Sequence, residues 1–362
     1  LIVDGPNTPV PFTLTYSGLT ATLNPNSDLT PGTQYAVHVD GAVEDLAGNP
    51  LGTDSDWTFV TVASGLIDTT NSDFGSGTNA CYIAETANGE LILNPTVAAE
   101  FSGAALPTGW TSTPWPGGGT STVSGGQITV DGAVAYYSTS TFTPGRSMEF
   151  VATFTASQFQ HVGLLGAADF GGNWAIFSTN NTTNQLYART SDGQNTLIPG
   201  TWLGTPHRYR IDWTATGASF YIDGAFYAQH NVALADMRPA ISDYNNGGTA
   251  AIVDWIRMSP YGTPCAFESR IFDAGSVVDW QNLISTGSTP AGTTVAFETR
   301  TGNTATPDVT WSAWEPTSGV IASPNGQYAQ YRVTLSTADV NVTPIIESVE
   351  LTYLVVVNHA PT

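Results

Sequence analysis

Strict alternation of polar and apolar residues is the feature that most constrains the fold of this chain. In the segment 207–227, HRYRIDWTATGASFYIDGAFY, two alternating runs are separated by a turn at Thr216-Gly217, and a second turn follows at Asp223-Gly224. A period of two places every second side chain on one face of a strand, and glycine permits the positive φ of tight turns. The segment is therefore predicted to form a β-hairpin with one buried face.

The same pattern recurs along the whole chain, whereas a helical period is hard to find. Alternating runs bounded by turn residues occur at 34–39 (QYAVHV), 147–154 (SMEFVATF), 295–300 (VAFETR) and 328–335 (YAQYRVTL). A length of 362 residues is enough for two to four domains, each with its own core. The predicted fold class is all-β, with multiple β-sandwiches.

The charge balance excludes several classes of function. Thirty acidic residues face nine basic ones, all nine of which are arginine, and the formal net charge is −21. This charge repels phosphate backbones and anionic lipid, so neither nucleic-acid binding nor membrane binding is expected. No apolar run reaches the 18 residues of a candidate membrane span, and membrane insertion is not expected either. The absence of lysine removes Schiff-base and P-loop chemistry.

The first 64 residues resemble a known module. The motifs LTPGTQYAVHV (29–39), DLAGNPL (45–51) and WTF (57–59) are similar to the second half of a bacterial Ig-like domain. We therefore interpret 1–64 as a partial Ig-like domain. The closing VNHAPT (357–362) resembles the linker to a following module in tandem-repeat surface proteins, so the chain is expected to be part of a longer modular protein.

The middle of the chain resembles one sandwich inserted into another. The segment 71–95 is similar to the opening of a β-sandwich module whose usual continuation, FESRIFDAGSVVDW, appears only from Phe267. We predict a split host module, 66–99 plus 264–356, and an inserted unit, 100–262, that resembles concanavalin-like sandwiches of the laminin-G and glucanase type. Insertion at a loop is tolerated where the guest termini lie close together. The alternative is a sequential arrangement in which 66–99 is a linker.

Two cysteines, Cys81 and Cys265, follow no metal-binding spacing. If the insertion interpretation holds, they lie on either side of the inserted unit, in the two host segments. A disulfide between them is then expected, as in exported proteins, and the predicted localisation is extracellular or at the cell surface. The alternative is a pair of free, buried thiols.

The glucanase resemblance implies a test for catalysis. Hydrolases of this fold carry an E-x-D-x-x-E strand before the hairpin, where alternate carboxylates share one face. The corresponding strand here, GGNWAIFSTNN (171–181), has no carboxylate, and the nearest acids are Asp169 and Asp192. No E-x-D-x-x-E occurs elsewhere. The chain is therefore predicted not to be an enzyme.

Binding sites are predicted from the remaining residue types. The candidate ligand-binding residues are Trp174, Tyr187 and Arg189. The resemblance places them on or beside the strand that faces the cleft in the glucanase-type hydrolases, where aromatic and polar side chains can bind a sugar. The alternative is that this sheet is covered by other parts of the protein and binds nothing. No cofactor is predicted other than calcium, for which oxygen-rich side chains are the expected ligands. The candidate calcium ligands are Asp68, Asn71 and Asp73, which ordinary turns would also explain.

The leading functional hypothesis is a non-catalytic extracellular protein that binds a polysaccharide or glycoprotein and mediates adhesion. A second hypothesis is a structural subunit of a filament, sheath or surface layer, which self-associates through an open strand edge. Glycan hydrolysis is the third.

Overall fold

The prediction of an all-β fold is confirmed by the computed structural model, which describes residues 2–4, 8–18, 20–27, 29, 34–45, 47–60 and 64–355. Helical segments in this part of the chain are short: α1 (Asn71–Gly75) and a 3-10 turn at Thr86–Asn88. The predicted linker at 357–362 lies outside the described residues. The alternation noted above is the physical reason for the strands, since it gives each one a buried face.

The N-terminal part forms a four-stranded sheet and a separate hairpin. Its strands are β1 (Ile2–Asp4), β2 (Thr8–Pro9), β3 (Phe12–Ser17), β4 (Thr20–Pro25), β5 (Gln34–Val39) and β6 (Ser55–Val60). The sheet order is β2-β1-β5-β6, and β3 pairs with β4. Its core is small: Tyr35 and Val37 are buried, and Tyr35 stacks on Phe59 with ring centroids 5.6 Å apart.

The next strands are short and belong to a sheet that the C-terminal part of the chain completes. They are β7 (Ser64–Asp68), β8 (Thr78–Asn79), β9 (Tyr82–Ala84) and β10 (Glu90–Ile92). Between them, α1 begins at a capping box in which the hydroxyl of Thr70 accepts from the N–H of Asp73 and the Asp73 carboxylate accepts from the N–H of Thr70.

The central strands build a two-sheet sandwich. They are β11 (Val97–Ala99), β12 (Trp110–Pro114), β13 (Thr120–Ser124), β14 (Gln127–Asp131), β15 (Ala133–Tyr137), β16 (Arg146–Thr153), β17 (Gln160–Leu165), β18 (Trp174–Ser178), β19 (Leu186–Thr190), β20 (Asn195–Ile198), β21 (His207–Thr214), β22 (Gly217–Ile222), β23 (Ala225–Asn231), β24 (Arg238–Asp243) and β25 (Ala251–Met258). The eight-stranded sheet runs β13-β14-β25-β16-β21-β22-β23, with β11 beside β25. The seven-stranded sheet runs β12-β15-β24-β17-β18-β19-β20.

The predicted hairpin is β21 and β22. Tyr209, Ile211 and Trp213 point between the two sheets and are at most 1% exposed, because successive side chains of a strand alternate between its faces. Asp223 and Gly224 form the following turn with φ of 50° and 81°, as a two-residue hairpin loop requires.

The C-terminal strands complete the sheet begun by β7 to β10. They are β26 (Cys265–Glu268), β27 (Phe272–Ser288), β28 (Thr293–Gly302), β29 (Glu315–Thr317), β30 (Gly326–Thr337) and β31 (Ile345–Val355). The ten-stranded sheet runs β29-β28-β30-β27-β31-β10-β9, with β7 beside β31 and β26 between β30 and β8. Strands from two distant segments of the chain are thus hydrogen-bonded to each other in one sheet, β31 with β7 and β10, and β26 with β8. Cys81 and Cys265 are joined by a disulfide across these segments, with their Cα atoms 5.1 Å apart.

Candidate functional site

The outer face of the seven-stranded sheet, which points away from the eight-stranded sheet, carries a second apolar cluster. On β18, Ala175 and Phe177 point into the main core, so Trp174, Ile176 and Ser178 point outward. Ile176 packs in a separate buried group with three residues of neighbouring strands, and four aromatic side chains pack against that group. We call these four the aromatic platform; they are Trp115, Tyr136, Phe170 and Trp174.

Three rings of the aromatic platform form a row, with Phe170 between Trp115 and Trp174. The Phe170 ring lies 6.2 Å from that of Trp115 and 6.3 Å from that of Trp174, measured between centroids. The indole N–H of Trp115 donates to the hydroxyl of Ser242 at 3.1 Å, which holds its orientation. Tyr244, which is 52% exposed, extends the row beyond Trp115, with a centroid distance of 5.5 Å. The result is a half-buried aromatic surface over a buried apolar layer.

The three predicted ligand-binding residues lie on neighbouring strands, and two of them are in contact. The guanidinium carbon of Arg189 lies 5.4 Å from the centre of the Trp174 ring. Tyr187 is on the same strand as Arg189, opposite Ser178, and its hydroxyl donates to Gln185 at 2.5 Å. Tyr187 is therefore engaged locally, whereas Arg189 and Trp174 form one unit.

Sequence reasoning did not assign several residues to this face, among them Tyr136, His161, Phe170 and Arg238. Arg238 lies 5.3 Å from the centre of the Tyr136 ring and donates to the Gly166 carbonyl at 3.2 Å. The signal for His161 is its place on β17, where it alternates with Val162 and Leu164, which point into the main core. Phe170 follows no strand pattern, because it lies in a loop.

His161 is held neutral beneath the platform. Its ring nitrogen Nδ1 and the Ser178 hydroxyl are 2.8 Å apart, and its ring meets that of Phe170 edge-on at 5.2 Å. Burial, and to a lesser degree the positive charge of Arg189, lowers the pKa of His161 to about 3. The imidazole is therefore uncharged in neutral solution and serves as a hydrogen-bonding partner of Ser178.

The outward side chains of β18, the strand in which the sequence analysis looked for an acidic motif, are neutral: they are Trp174, Ile176 and Ser178. Asp169, in the loop before β18, is exposed and accepts from the Gly171 N–H at 2.9 Å. Asp192, in the loop after β19, accepts from the Thr190 hydroxyl and from Gln194. The face thus presents apolar rings and guanidinium groups, with Asp169 in the loop that also carries Phe170.

The outer face of the eight-stranded sheet differs in its charges. A cavity of about 440 Å³ there is lined by Glu149, Arg208, Arg210, Tyr221, Asp223 and Gly224. Arg208 is paired with Glu149 at 2.7 Å, and Arg210 with Asp212 at 2.6 Å. Its two cations therefore already have carboxylate partners.

The candidate calcium ligands are used by the fold in other ways. Asp68 is fully buried, pairs with Arg270 at 2.7 Å and accepts from the Tyr331 hydroxyl at 2.9 Å. Asp73 caps α1, the helix that Asn71 begins. Across the ranges that the structure describes, no three His, Cys, Asp or Glu side chains are grouped to hold a metal ion. Because the arginine already neutralises Asp68, these residues do not fit a calcium site.

Comparison with known proteins identifies part of the chain. Residues 1–61 match the family model of the bacterial Ig-like domain, which confirms the resemblance predicted for this part. The order of modules along the chain stays a prediction. No curated protein matches the sequence. The Ig-like domain and the disulfide are features typical of an extracellular protein. Within the described ranges, no helix has the length and apolar character of a membrane span.

Solved structures similar to this chain are glucanase-type jelly-roll sandwiches, which fits the concanavalin-like prediction. The laminarinase from Rhodothermus marinus is 14% identical, with a TM-score of 0.38 over 46% of this chain and 96% of that chain. The endo-β-1,3-glucanase from Pyrococcus furiosus is 12% identical, with a TM-score of 0.37 over 46% and 94%. The laminarinase from Flavobacterium sp. UMI-01 is 12% identical, with a TM-score of 0.37 over 47% and 100%. At these values the likeness is one of fold.

These comparisons correct the functional prediction. The named structures are enzymes that cleave glycans, so the prediction of a non-catalytic, adhesive protein and the statement that it is not an enzyme are wrong. The physical reason is that a missing E-x-D-x-x-E excludes one arrangement of carboxylates on one strand and says nothing about acids supplied by loops.

Proposed function

We propose that the sandwich formed by β11 to β25 acts on a polysaccharide, as a glycan hydrolase whose substrate lies along the outer face of the seven-stranded sheet. The observation that carries this proposal is the aromatic platform. Its rings follow one another from Trp115 through Phe170 to Trp174 at centroid distances of 6.2 and 6.3 Å. Sugar rings have apolar faces that stack on aromatic side chains, while nearby polar groups take up their hydroxyls.

The polar groups that such a substrate needs lie beside the platform. The guanidinium carbons of Arg189 and Arg238 lie 5.4 Å and 5.3 Å from the centres of the Trp174 and Tyr136 rings. Tyr187 and the exposed Tyr244 add hydroxyls on either side. A long row of half-buried rings flanked by donors suits an extended sugar chain better than a small compact ligand.

Cleavage of a glycosidic bond needs a proton donor near the leaving oxygen. We place this donor at Asp169, because its loop also supplies Phe170 to the platform. The loop is closed by hydrogen bonds from Gly166 to Asn173 (2.7 Å) and from Phe170 to Ala167 (3.1 Å), which fix Asp169 at the edge of the platform. The carboxyl group protonates the leaving oxygen as the glycosidic C–O bond breaks, water adds to the anomeric carbon, and the proton that this water loses returns to the Asp169 carboxylate.

The experiment measures binding and cleavage separately. Purified protein is incubated with a panel of polysaccharides, and both retention in affinity gels and release of reducing ends are recorded. Trp174→Ala is expected to weaken binding, whereas Asp169→Asn is expected to retain binding and abolish release. Asp273→Asn is the matched control. The Asp273 carboxylate accepts from the N–H of Gly275, two residues later, as Asp169 accepts from Gly171, but Asp273 lies in β27, outside the sandwich. Absence of reducing-end release from every polymer would contradict hydrolysis.

The wider organisation is also proposed. We infer that 100–262 is inserted into a host module of 66–99 plus 264–356, that the Ig-like domain acts as a spacer, and that the protein is displayed outside the cell. The disulfide between Cys81 and Cys265 and the shared ten-stranded sheet support this arrangement. In this setting a polysaccharide is a readily available substrate.

A further inference from the structure

We propose that the polysaccharide bound on the aromatic platform is anionic, and that Arg189 and Arg238 bind its carboxylate or sulfate groups. This inference rests on the proposed function and adds to it the chemical class of the substrate. It follows from how the chain distributes its nine arginines.

Five arginines are already paired with carboxylates of the protein, and the remaining four differ in how their N–H groups are used. Arg146 donates to the carbonyls of Thr143 and Ser259, and Arg300 donates twice to the Gln330 side chain. Arg189 and Arg238, by contrast, each have a buried Nε–H without a hydrogen-bond partner in the described structure. The five paired arginines are Arg208, Arg210, Arg257, Arg270 and Arg332.

A guanidinium without an acidic partner is unexpected in this chain. Thirty acidic residues are available for nine arginines, so a carboxylate could readily have been placed beside each. A buried N–H that forms no hydrogen bond is unfavourable, because it has lost its bond to water without gaining another. Among the described residues, the one hydrogen bond of these two guanidinium groups runs from Arg238 to the Gly166 carbonyl, at 3.2 Å, so their other terminal N–H groups remain available. An anion of the ligand would accept hydrogen bonds from these terminal Nη–H groups.

The two arginines are placed to contact different sugars of one chain. Arg238 is opposite Leu165, and Leu165 is opposite Trp174 in the adjoining strand. Arg189 is opposite Ile176, two residues further along β18, and shares the outward direction of Trp174. Three inter-strand spacings of about 4.8 Å therefore separate the strands of Arg238 and Arg189, with Trp174 between them. A sugar stacked on Trp174 would have one cation on each side.

The net charge of −21 does not oppose this local attraction strongly. Exposed charges more than about 10 Å apart are screened at 0.1 M ionic strength, whereas a partly buried pair in contact is screened much less. The only carboxylate that we place at the platform is that of Asp169, in the loop. The face is thus locally basic on an acidic protein.

The test compares three polymers that differ in their charged group: a polyuronate, the same polymer after reduction of its carboxyl groups, and a sulfated polymer of the same neutral sugar. Titration calorimetry is performed with the full chain. We expect the charged polymers to bind at least about tenfold more tightly than the reduced one, since hydrogen bonds to charged groups contribute about 1.5–3 kcal/mol. Preference between the polyuronate and the sulfated polymer identifies the anion.

Variants assign the effect to the two side chains. Arg189→Gln and Arg238→Gln are each expected to lower affinity for the charged polymer about tenfold and to change affinity for the reduced polymer less than twofold. Arg189→Lys, which keeps the charge, is expected to recover part of the loss. Arg300→Gln is the control, because Arg300 also stacks on a tryptophan, Trp314, and has no carboxylate partner, but lies in β28.

Two negative results have different meanings. Equal affinity for charged and reduced polymers, unchanged in Arg189→Gln and Arg238→Gln, would overturn the anionic specificity and leave the proposed function standing. If none of the three polymers binds, and no polysaccharide of the wider panel binds or is cleaved, both the anionic specificity and the proposed function would be overturned. Circular dichroism of each variant separates loss of binding from loss of fold.

Discussion

Arg257 and Glu90 form a buried ion pair between the eight-stranded sheet and the ten-stranded sheet, with Nη1 and Oε1 2.6 Å apart. Arg257 lies in β25 and Glu90 in β10, and their side chains are 3% and 7% exposed. Arg257 also contacts Glu100 at 3.1 Å, and Glu100 accepts from the Tyr82 hydroxyl. The Arg257 guanidinium thus neutralises two buried carboxylates where the central sandwich meets the ten-stranded sheet.

Replacement of Arg257 by methionine is expected to destabilise the protein by about 3–5 kcal/mol, because two buried carboxylates lose their counter-charge. Urea unfolding monitored by tryptophan fluorescence measures the change. Arg332→Met is the control, since Arg332 pairs with Glu298 at a partly exposed position and such pairs contribute about 0–1 kcal/mol. Equal losses in the two variants would contradict the importance of the buried cluster.

Removal of the disulfide is expected to lower stability by up to roughly 5 kcal/mol in the chain-entropy model. The reason is that Cys81 and Cys265 are 184 residues apart, so the bond restricts a long loop in the unfolded chain. The midpoint of urea unfolding is measured for the double variant Cys81→Ser/Cys265→Ser and for the wild type, each with and without reductant. Reductant should affect wild type alone, and an unchanged midpoint in the double variant would refute the expectation.

The stability of wild type is expected to fall relative to His161→Gln as pH decreases from about 7 towards 3. The pKa of His161 is lowered to about 3 in the folded protein, whereas it is about 6.5 in the unfolded chain. Between these values the unfolded chain binds a proton that the folded protein does not, so acid favours unfolding. Denaturation at pH 7, 5 and 4 measures the effect, and parallel curves for the two proteins would contradict it.

Gly163→Ala is expected to cost about 1–3 kcal/mol, the range found when a packed site must accept extra atoms. A Cβ at this position would lie 2.3 Å from the Ala175 carbonyl oxygen and 2.8 Å from the Ile176 Cα, both backbone atoms of β18 beneath the platform. Gly75→Ala is the control, because its Cβ would meet no atom within 4 Å. Thermal unfolding measures both variants, and a neutral Gly163→Ala would show that β18 can move.

The all-β fold and the buried face of the 207–227 hairpin could be predicted from the amino-acid sequence alone. Alternation is a local property, since each residue's face follows from its place in its own strand. For this reason Tyr209, Ile211 and Trp213 could be assigned to the core, and the neutral outward face of β18 could be read directly. The functional prediction failed at another point, because the absence of one motif was extended to all catalysis.

Only the tertiary structure decided which side chains meet. Phe170, in a loop with a φ of 61°, contacts both Trp115, which follows β12, and Trp174, which begins β18. These contacts arise because β12 and β18 belong to one sheet. Asp68 is engaged by Arg270, 202 positions away, so a cluster that seemed suited to calcium is an ion pair. Contacts of this kind depend on strand pairing and register between distant segments, and these are set by the packing of the whole chain.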